Sequence, residues 1–136
     1  MNYLGLENLY EEINKIPGQQ YVKIPGTERT PYILLYKTNI QGNIQFRGRS
    51  LPDDAHNFYQ PILVWIDEYV YSPNEKTIIR FDLEYFNTTS AKMLLQIVKK
   101  LQKLEKHNKE VHVEWCYKKD DETILESGQT FQDLTH

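Results

Sequence analysis

The sequence predicts a small α/β (α+β) domain, in which a mixed β-sheet packs with helices on one or both of its faces. Segments with alternating apolar residues are separated by segments with the apolar period of amphipathic helices. Their order is strands, helix, strand, helix, strand, helix, and helices of this length indicate parallel strands joined by right-handed crossovers. At 136 residues, 40% of them hydrophobic, the chain suits one domain with a single core.

The first half of the chain divides into an extension and a hairpin. We interpret residues 1–20 as an N-terminal extension ahead of a domain that spans residues 21–136. Apolar residues at helical spacing predict a short helix in the extension, ended by Pro17 and Gly18. This segment is either an added helix packed on the domain or a docking arm. Further on, "YILLYKT" and "NIQFRGR" flank a turn at 39–42, as expected for a β-hairpin. The apolar residues of the extension helix are Leu6, Leu9, Tyr10 and Ile13.

A helix is predicted next, in "SLPDDAHNFYQPILVWIDEYVYS". Ser50 and Asp53 have the spacing of a capping box, and Pro52 suits a first turn. Pro61 lies inside the apolar pattern, where it is expected to kink the helix or to divide it into two.

The second half repeats a strand–helix order. Residues 76–86 alternate, so one face carries Ile79, Phe81, Leu83 and Tyr85 and the other carries Arg80, Asp82 and Glu84. A helical period follows from Ser90 to about Asn108. "EVHVEWCYK" predicts another strand, with Val111, Val113, Trp115 and Tyr117 on one face. A last helix is predicted from about Asp120 to Leu134. Gly128 lies within it and is unfavourable for a helix. The residues expected to face inward are Ile124, Leu125, Phe131 and Leu134.

Composition and charge exclude several functions. A net charge of −3 gives no basic excess for nucleic acid. Cys116 is the only cysteine, so no intrachain disulfide can form and a reducing compartment is expected. The N-terminus does not resemble a signal peptide, and no apolar run is long enough to cross a bilayer. We therefore expect a cytoplasmic protein that binds neither nucleic acid nor membrane.

Residue spacing favours neither a metal site nor a cofactor. The four histidines are scattered, at positions 56, 107, 112 and 136, and have no cysteine partner. Cys116 shares a strand face with His112 and Glu114, where a passive thiol is the favoured interpretation. The glycines are too few for a phosphate-binding loop. No cofactor is expected.

The stretch "EYFNTTSAKMLL" places three hydroxyls, Thr88, Thr89 and Ser90, where the strand pattern changes to the helix pattern. A helix N-terminus presents unpaired N–H groups and a partial positive charge, which suit an anion such as a covalently attached phosphate. One hydroxyl suffices for a cap, and we expect Thr89 or Ser90 to supply it. Thr88 is then left at the edge of the turn.

Four stretches together resemble the SiaC family of regulatory phosphoproteins, formerly a domain of unknown function. The resemblance covers roughly residues 22–134, and "LEYFNTTSAKMLL" is its most specific part. It implies a fold similar to the STAS domain of sulfate transporters and anti-sigma factor antagonists. The stretches are "IPGTERTP", "GRSLPDDAHNFYQPILVWIDEY", "FDLEYFNTTSAKML" and "VHVEWCYKKDDETILESGQTFQDL".

The resemblance implies a non-enzymatic switch. The residue that is phosphorylated in this family corresponds to Thr88, which follows Asn87. Thr89 and Ser90 are less favoured alternatives. The implied partners are a serine/threonine protein kinase with a histidine-kinase-like ATPase fold, a metal-dependent serine/threonine phosphatase and a diguanylate cyclase. The unphosphorylated form would activate the cyclase and raise cyclic di-GMP, which favours biofilm formation. The motif and partner-binding residues are then Asn87, Thr89, Ser90, Asp82, Glu84 and Tyr85.

Two alternatives remain open. One is a small α/β enzyme with a polar pocket formed by residues such as Asp82, Glu84, His112 and Glu114. The other is a STAS-type ligand-binding module, in which the three hydroxyls only cap the helix.

Overall fold

A computed structural model describes residues 21–135, so the short helix predicted in the N-terminal extension lies outside the described residues. The described chain contains a mixed five-stranded sheet and three α-helices, which confirms the predicted α/β class. The strands are β1 (Tyr21–Ile24), β2 (Tyr32–Lys37), β3 (Gln41–Ser50), β4 (Lys76–Phe86) and β5 (Glu110–Trp115). The helices are α1 (Ala55–Tyr71), α2 (Thr88–Gln102) and α3 (Glu122–Thr135), and a 3-10 helix spans Lys103–His107.

Strand order in the sheet follows the chain, β1-β2-β3-β4-β5. The pairs β1–β2 and β2–β3 are antiparallel, and the predicted hairpin forms between β2 and β3. The pairs β3–β4 and β4–β5 are parallel, as helical crossovers require. Among the strands of residues 21–135, β1 and β5 are therefore the outermost. None of the described helices is long and apolar enough to cross a membrane.

The main core lies on one face of the sheet. It joins the inward side chains of the central strands, such as Ile44 and Ile79, to the buried faces of α1 and α2 and to Phe131 of α3. Phe46 and Phe81 stack with their ring centroids 5.4 Å apart, because these residues are opposite each other in the β3–β4 register. The sequence allows helices on one face or on both faces of the sheet. In the structure, the helices that pack into this core lie on the same face.

Helix α1 begins later than the capping-box spacing predicts. Its N-cap is Asp54, whose carboxylate accepts a hydrogen bond from the Asn57 N–H at 3.1 Å. The prediction for Ser50 and Asp53 is wrong because Ser50 is still part of β3 and is buried. Pro61 does not divide the helix, since α1 continues to Tyr71 with Pro61 exposed on its outer side.

A β-bulge near the end of β4 changes which residues face the core. Gly48 is opposite Leu83, but the next residue of β3, Arg49, is opposite Tyr85, so Glu84 is an extra residue on β4. Gly48 has a φ of 108°, which side-chain-bearing residues rarely adopt. Tyr85, predicted to point inward, is exposed because the bulge reverses the alternation. Phe86 takes the inward position instead.

Helix α3 closes the β5 end of the core through an aromatic cluster. Trp115 donates a hydrogen bond from its indole N–H to the carbonyl of Ile124 at 2.8 Å, and its ring centroid lies 5.0 Å from that of Phe131. Ile124 and Phe131 are buried as predicted, but Leu134 is exposed because it lies in the last turn, beyond the sheet. Val113 lies on the same face of β5 as Val111 and Trp115, as predicted, but its side chain is exposed.

A smaller cluster lies on the opposite face of the sheet. Leu34 and Tyr36 are fully buried there, and the partly buried hydrophobic residues described against them are Tyr21 and Tyr32. All four belong to β1 and β2.

Gly128 provides a test of this packing. A Cβ atom at this position would lie 2.6 Å from Trp115 Cδ1. We expect Gly128→Ala to lower the free energy of unfolding by about 1–3 kcal/mol, because overpacking outweighs the better helix propensity of alanine. Urea denaturation measures the change, and Gln129→Ala, exposed on the same helix, is the control. A Gly128→Ala variant as stable as the parent would contradict the close contact.

Candidate functional site

The candidate site is the joint between β4 and α2, at the carboxyl-terminal edge of the parallel strands. The backbone N–H of Asn87 donates to the carbonyl of Ser50 at 3.0 Å, which continues the pairing with β3 by one more residue. Helix α2 begins at the next residue, Thr88. Ligands and partners of parallel sheets are commonly bound at this edge, because loops and helix N-termini converge there.

Asn87 caps α2. Its backbone is extended, and its side-chain oxygen accepts a hydrogen bond from the Ser90 N–H at 2.9 Å. The expectation that Thr89 or Ser90 supplies the cap is therefore wrong, and the helix starts two residues before the predicted Ser90. The amide of asparagine is among the most favourable N-caps, so this residue explains the helix start without any of the three hydroxyls.

The Ser90 hydroxyl has a different role in the interior. The Ser50 hydroxyl donates to Ser90 Oγ at 2.8 Å, and Ser50 Oγ lies 2.6 Å from the hydroxyl of Tyr59. These three side chains, here called the hydroxyl cluster, are fully buried. They connect the end of β3, the second turn of α1 and the start of α2. Their mutual hydrogen bonds replace the hydrogen bonds to water that burial removes.

Burial raises the pKa of Tyr59 to about 12, an effect that its hydrogen bonds to Ser50 and Ser90 only partly oppose. The phenol is thus protonated at neutral pH and can donate to Ser50 Oγ. This assignment is consistent with Ser50 acting as the donor to Ser90.

Thr88 and Thr89 remain exposed at the start of α2. Of the three hydroxyls in the stretch, only these two are accessible to a modifying enzyme, since Ser90 has no exposed surface. Thr88 is the first helical residue, where backbone N–H groups have no partner within the helix and the dipole favours negative charge. Lys92, also exposed, is one turn further along the same helix.

The other predicted partner-binding residues have different surroundings. Asp82 lies on the face away from the helices and is opposite Arg47 of β3 in the register. Glu84 and Tyr85 are exposed at the bulge, closer in sequence to Thr88. The Arg49 guanidinium lies over the Tyr85 ring, 5.5 Å from its centroid. The exposed surface beside the joint thus carries an aromatic ring and charges of both signs.

The polar residues on the face of β5 away from the helices are occupied in structural contacts. Arg80 and Glu114 form a salt bridge of 2.6 Å, and His112 lies 3.3 Å from Glu110. Burial, followed by the nearby Asp82 carboxylate, raises the pKa of Cys116, so its thiol stays protonated and is a poor nucleophile. Among residues 21–135, no three His, Cys, Asp or Glu side chains are grouped so as to hold a metal ion.

A groove of about 280 Å³, lined by apolar and polar residues alike, lies between α2, β5 and α3. Its walls include Val98, Val111, Trp115 and Phe131, and its polar rim includes Gln102. The four polar residues suggested for an enzyme pocket are not part of its lining.

The fold and the joint together define a small α/β domain that carries accessible hydroxyls at a rigidly capped helix start. Both hydroxyls lie on the surface, where a modifying enzyme or a partner protein can reach them. Comparison with family models identifies the family. Residues 24–136 match the model described as the SiaC family of regulatory phosphoproteins, and the chain belongs to this family.

The chain is similar to one protein and to solved structures from Pseudomonas aeruginosa. The chain is 24% identical over 111 residues to an uncharacterized protein of strain UCBPP-PA14, and the alignment covers 81% of this chain and 86% of that protein. It matches the crystal structure of apo-SiaC with a TM-score of 0.73 and 23% identity, over 84% of this chain and 91% of that chain. A structure of the diguanylate cyclase SiaD in complex with its activator SiaC also matches, with a TM-score of 0.73 and 23% identity, over 82% and 90% of the two chains.

Sequence reasoning missed two members of the site. The sequence predicts Ser50 as a helix cap and gives Tyr59 no role. In the structure both belong to the hydroxyl cluster, which contacts the start of α2. Their contacts join residues 9 and 40 positions apart, so no local pattern indicates them. The asparagine directly before the helical period was a usable signal for the cap.

The cap can be tested by two alanine variants. We expect Asn87→Ala to lower the free energy of unfolding by about 1 kcal/mol, because the Ser90 N–H loses its acceptor at the start of α2. Thr89→Ala, in the exposed first turn, should change it by much less. Urea denaturation of both variants decides between the two residues, and a larger loss for Thr89→Ala would reject Asn87 as the cap.

The raised pKa of Tyr59 predicts a loss of stability in alkali. Folding favours the protonated phenol, so this contribution is fully present below pH 10 and is lost as the pH rises from 10 to about 12. We expect Tyr59→Phe to be less stable than the parent at pH 8, through its lost hydrogen bond, but to lose less stability between pH 10 and 12. Chemical denaturation across this range measures both effects. Tyr71→Phe, with a fully exposed ring, should follow the parent, and a Tyr59→Phe curve parallel to the parent would contradict the raised pKa.

Proposed function

We propose that this protein is a phosphorylation-controlled activator of a diguanylate cyclase, with Thr88 as the phosphorylated residue. The unphosphorylated form binds the cyclase and raises its production of cyclic di-GMP, and phosphate on Thr88 prevents binding. The observation that carries this proposal is the exposed Thr88 hydroxyl, at the first residue of a helix whose cap and buried contacts are made by other residues.

Family membership and one relative support the choice of partner. The matching family consists of regulatory phosphoproteins, and the SiaC protein in the matched complex is an activator bound to a diguanylate cyclase. We transfer both properties to this chain. The protein then acts by binding, in the cytoplasm, where a cyclase would meet its GTP substrate.

The position of Thr88 explains how phosphate would act. A phosphothreonine adds close to two negative charges and three acceptor oxygens. At the first turn of α2 these charges interact favourably with the helix dipole and can reach Lys92, so the helix need not unfold. The change is therefore confined to the surface, where it places a hydrated dianion beside Tyr85 and Glu84.

A partner would lose affinity through this surface change. Aromatic side chains are frequent anchors in protein interfaces, and Tyr85 is the exposed aromatic residue nearest in sequence to the joint. The neighbouring Glu84 carboxylate already carries negative charge, so phosphate increases repulsion toward an acidic partner surface. Asp82 contributes less to this repulsion because Arg47 lies opposite it on the neighbouring strand.

Two further partners complete the proposal. A serine/threonine kinase with a histidine-kinase-like ATPase fold would add the phosphate, and a metal-dependent phosphatase would remove it. Both would act on the exposed residues Thr88 and Thr89, since the next residue, Ser90, is enclosed in the hydroxyl cluster.

Binding to the cyclase tests the switch. We expect Thr88→Ala to bind the diguanylate cyclase of the same organism as tightly as the unphosphorylated parent, and Thr88→Glu to raise the Kd by about tenfold, because it places a carboxylate on the contact surface. Isothermal titration calorimetry measures the Kd, and cyclic di-GMP production measures activation. Gln96→Glu, exposed two turns further along α2, controls for the added charge alone. Equal binding of all four proteins would reject control at Thr88.

Modification itself needs a separate measurement. We expect protein purified from its own cells to include a form that is heavier by one phosphate group, and fragmentation to place that group on Thr88. Thr88→Ala should lose this form and Thr89→Ala should keep it. A phosphate that persists in Thr88→Ala would contradict Thr88 as the modified residue and would indicate Thr89 instead.

A further inference from the structure

The outer edge of β5 carries backbone groups that have no partner among the described residues. The Glu110 N–H donates to the carbonyl of Glu75 at 2.8 Å, on the side of β4, and the Cys116 N–H also donates to that side. Successive residues of a strand direct their backbone groups to opposite sides. The N–H and C=O groups of Val111 and Val113 therefore point away from β4, where residues 21–135 provide no hydrogen-bond partner for them.

The groove between α2, β5 and α3 lies beside this edge. Its lining includes Val111, Val113 and Trp115 of β5. The Val113 side chain is 42% exposed, so a large part of its apolar surface faces solvent. Because alternate side chains of a strand share one face, a strand added next to β5 would place every second side chain beside Val113. Burial of those side chains in the groove would add apolar contacts to the backbone hydrogen bonds.

The opposite face of β5 is acidic. Glu110 and Glu114 lie on it, with His112 between them. Arg80 of β4 pairs with Glu114 at 2.6 Å, whereas the described ion-pair neighbour of Glu110 is His112, at 3.3 Å. Neighbours of opposite charge on adjacent strands stabilise a sheet, and neighbours of like charge destabilise it. Basic residues on an added strand are therefore favoured, while a second copy of β5 would bring carboxylates close to carboxylates.

We propose that β5 binds an extended segment of a partner protein, which adds to the sheet as a further strand. In this segment apolar residues, which enter the groove beside Val113, alternate with basic residues, which lie beside Glu110 and Glu114. Main-chain hydrogen bonds to Val111 and Val113 provide affinity, and the alternation provides specificity. The observation that carries the proposal is that the open backbone groups and the lining of the groove belong to the same residues.

This surface is separate from the joint at Thr88. Val113 is opposite Ile79, in the first half of β4, whereas the joint follows the last residue of that strand. Strand addition at β5 requires neither a phosphate on Thr88 nor a cyclase. The proposal therefore adds a second interface to the one proposed at the joint, and each can fail without the other.

A synthetic peptide tests the recognition in the full chain. The probe has about eight residues, alternates lysine with valine and has blocked ends, because this length spans a typical strand. We expect saturable binding, measured by the fluorescence anisotropy of a labelled peptide. A peptide that alternates glutamate with valine, and one with the lysines and valines in two separate blocks, should each have a Kd at least about tenfold higher. Equal binding of the three peptides, or no binding of the probe, would overturn the proposal.

Two variants of Val113 test the location. Val113→Pro removes the outward N–H and no hydrogen bond to β4, so we expect it to lose the probe peptide. Val113→Gln keeps the backbone and should raise the Kd by about tenfold, which also covers the case in which the proline variant unfolds. The matched control is Val64→Gln on α1, where the side chain is 46% exposed, and it should bind as the parent does. A Val113→Gln variant that also binds as the parent does would place the peptide elsewhere.

Hydrogen exchange measured by NMR tests the pairing directly. In the free protein the amides of Val111 and Val113 should exchange rapidly, whereas those of His112 and Glu114 should be protected by β4. The probe peptide should slow exchange at Val111 and Val113 by about tenfold or more, because strand addition gives these amides an acceptor. Unchanged exchange at saturating peptide would overturn the proposal. Protection in the free protein that grows with protein concentration would also overturn it, in favour of a second copy as the occupant.

Discussion

The buried hydrogen bond between the hydroxyls of Ser50 and Ser90 holds the first turn of α2 against the end of β3. A hydroxyl without a partner in the core is costly, so Ser50, Tyr59 and Ser90 must remain within hydrogen-bonding distance of one another. This requirement keeps the end of β3 beside the first turn of α2. Asn87 is then held between a backbone bond to Ser50 and its capping bond to Ser90. The orientation of Thr88 on the surface depends on all of these contacts.

A rigid joint suits a switch that acts through charge. Phosphate can order or melt a segment, but the first turn of α2 is already ordered and its dipole favours an anion. If Thr88 is phosphorylated as we propose, we expect the phosphate to change the affinity for a partner and not the folding of the domain. The buried Ser90 hydroxyl also explains why three hydroxyls follow one another: one is structural, and two are accessible.

The periodic elements of the fold could be predicted from sequence, and the irregular ones could not. Residues 76–86 alternate and form β4, because an 11-residue strand with one buried face leaves a clear local pattern. The reversal at Tyr85 could not be predicted, since the bulge depends on how β4 pairs with β3. Pro61 is tolerated because the long apolar face of α1 continues on both sides of it. Gly128 is unfavourable for a helix by propensity, but a Cβ atom at this position would lie too close to the indole of Trp115.

The candidate site was predictable only in part for the same reason. The apolar residues change from the alternation of a strand to the spacing of a helix, and this change predicts a helix start between Glu84 and Ala91. Which residue caps and which is buried depends on β3 and α1, which are distant in sequence. Thr88 as the modified residue rests on the family resemblance, because exposure alone does not distinguish it from Thr89.

The two edges of the sheet affect how the protein behaves at high concentration. Exposed edge strands can pair with those of other molecules and lead to aggregation. Here β1 has only four residues and is followed by Pro25, while β5 has six and carries the charged or polar residues Glu110, His112 and Glu114. Short, polar edges oppose strand addition between copies.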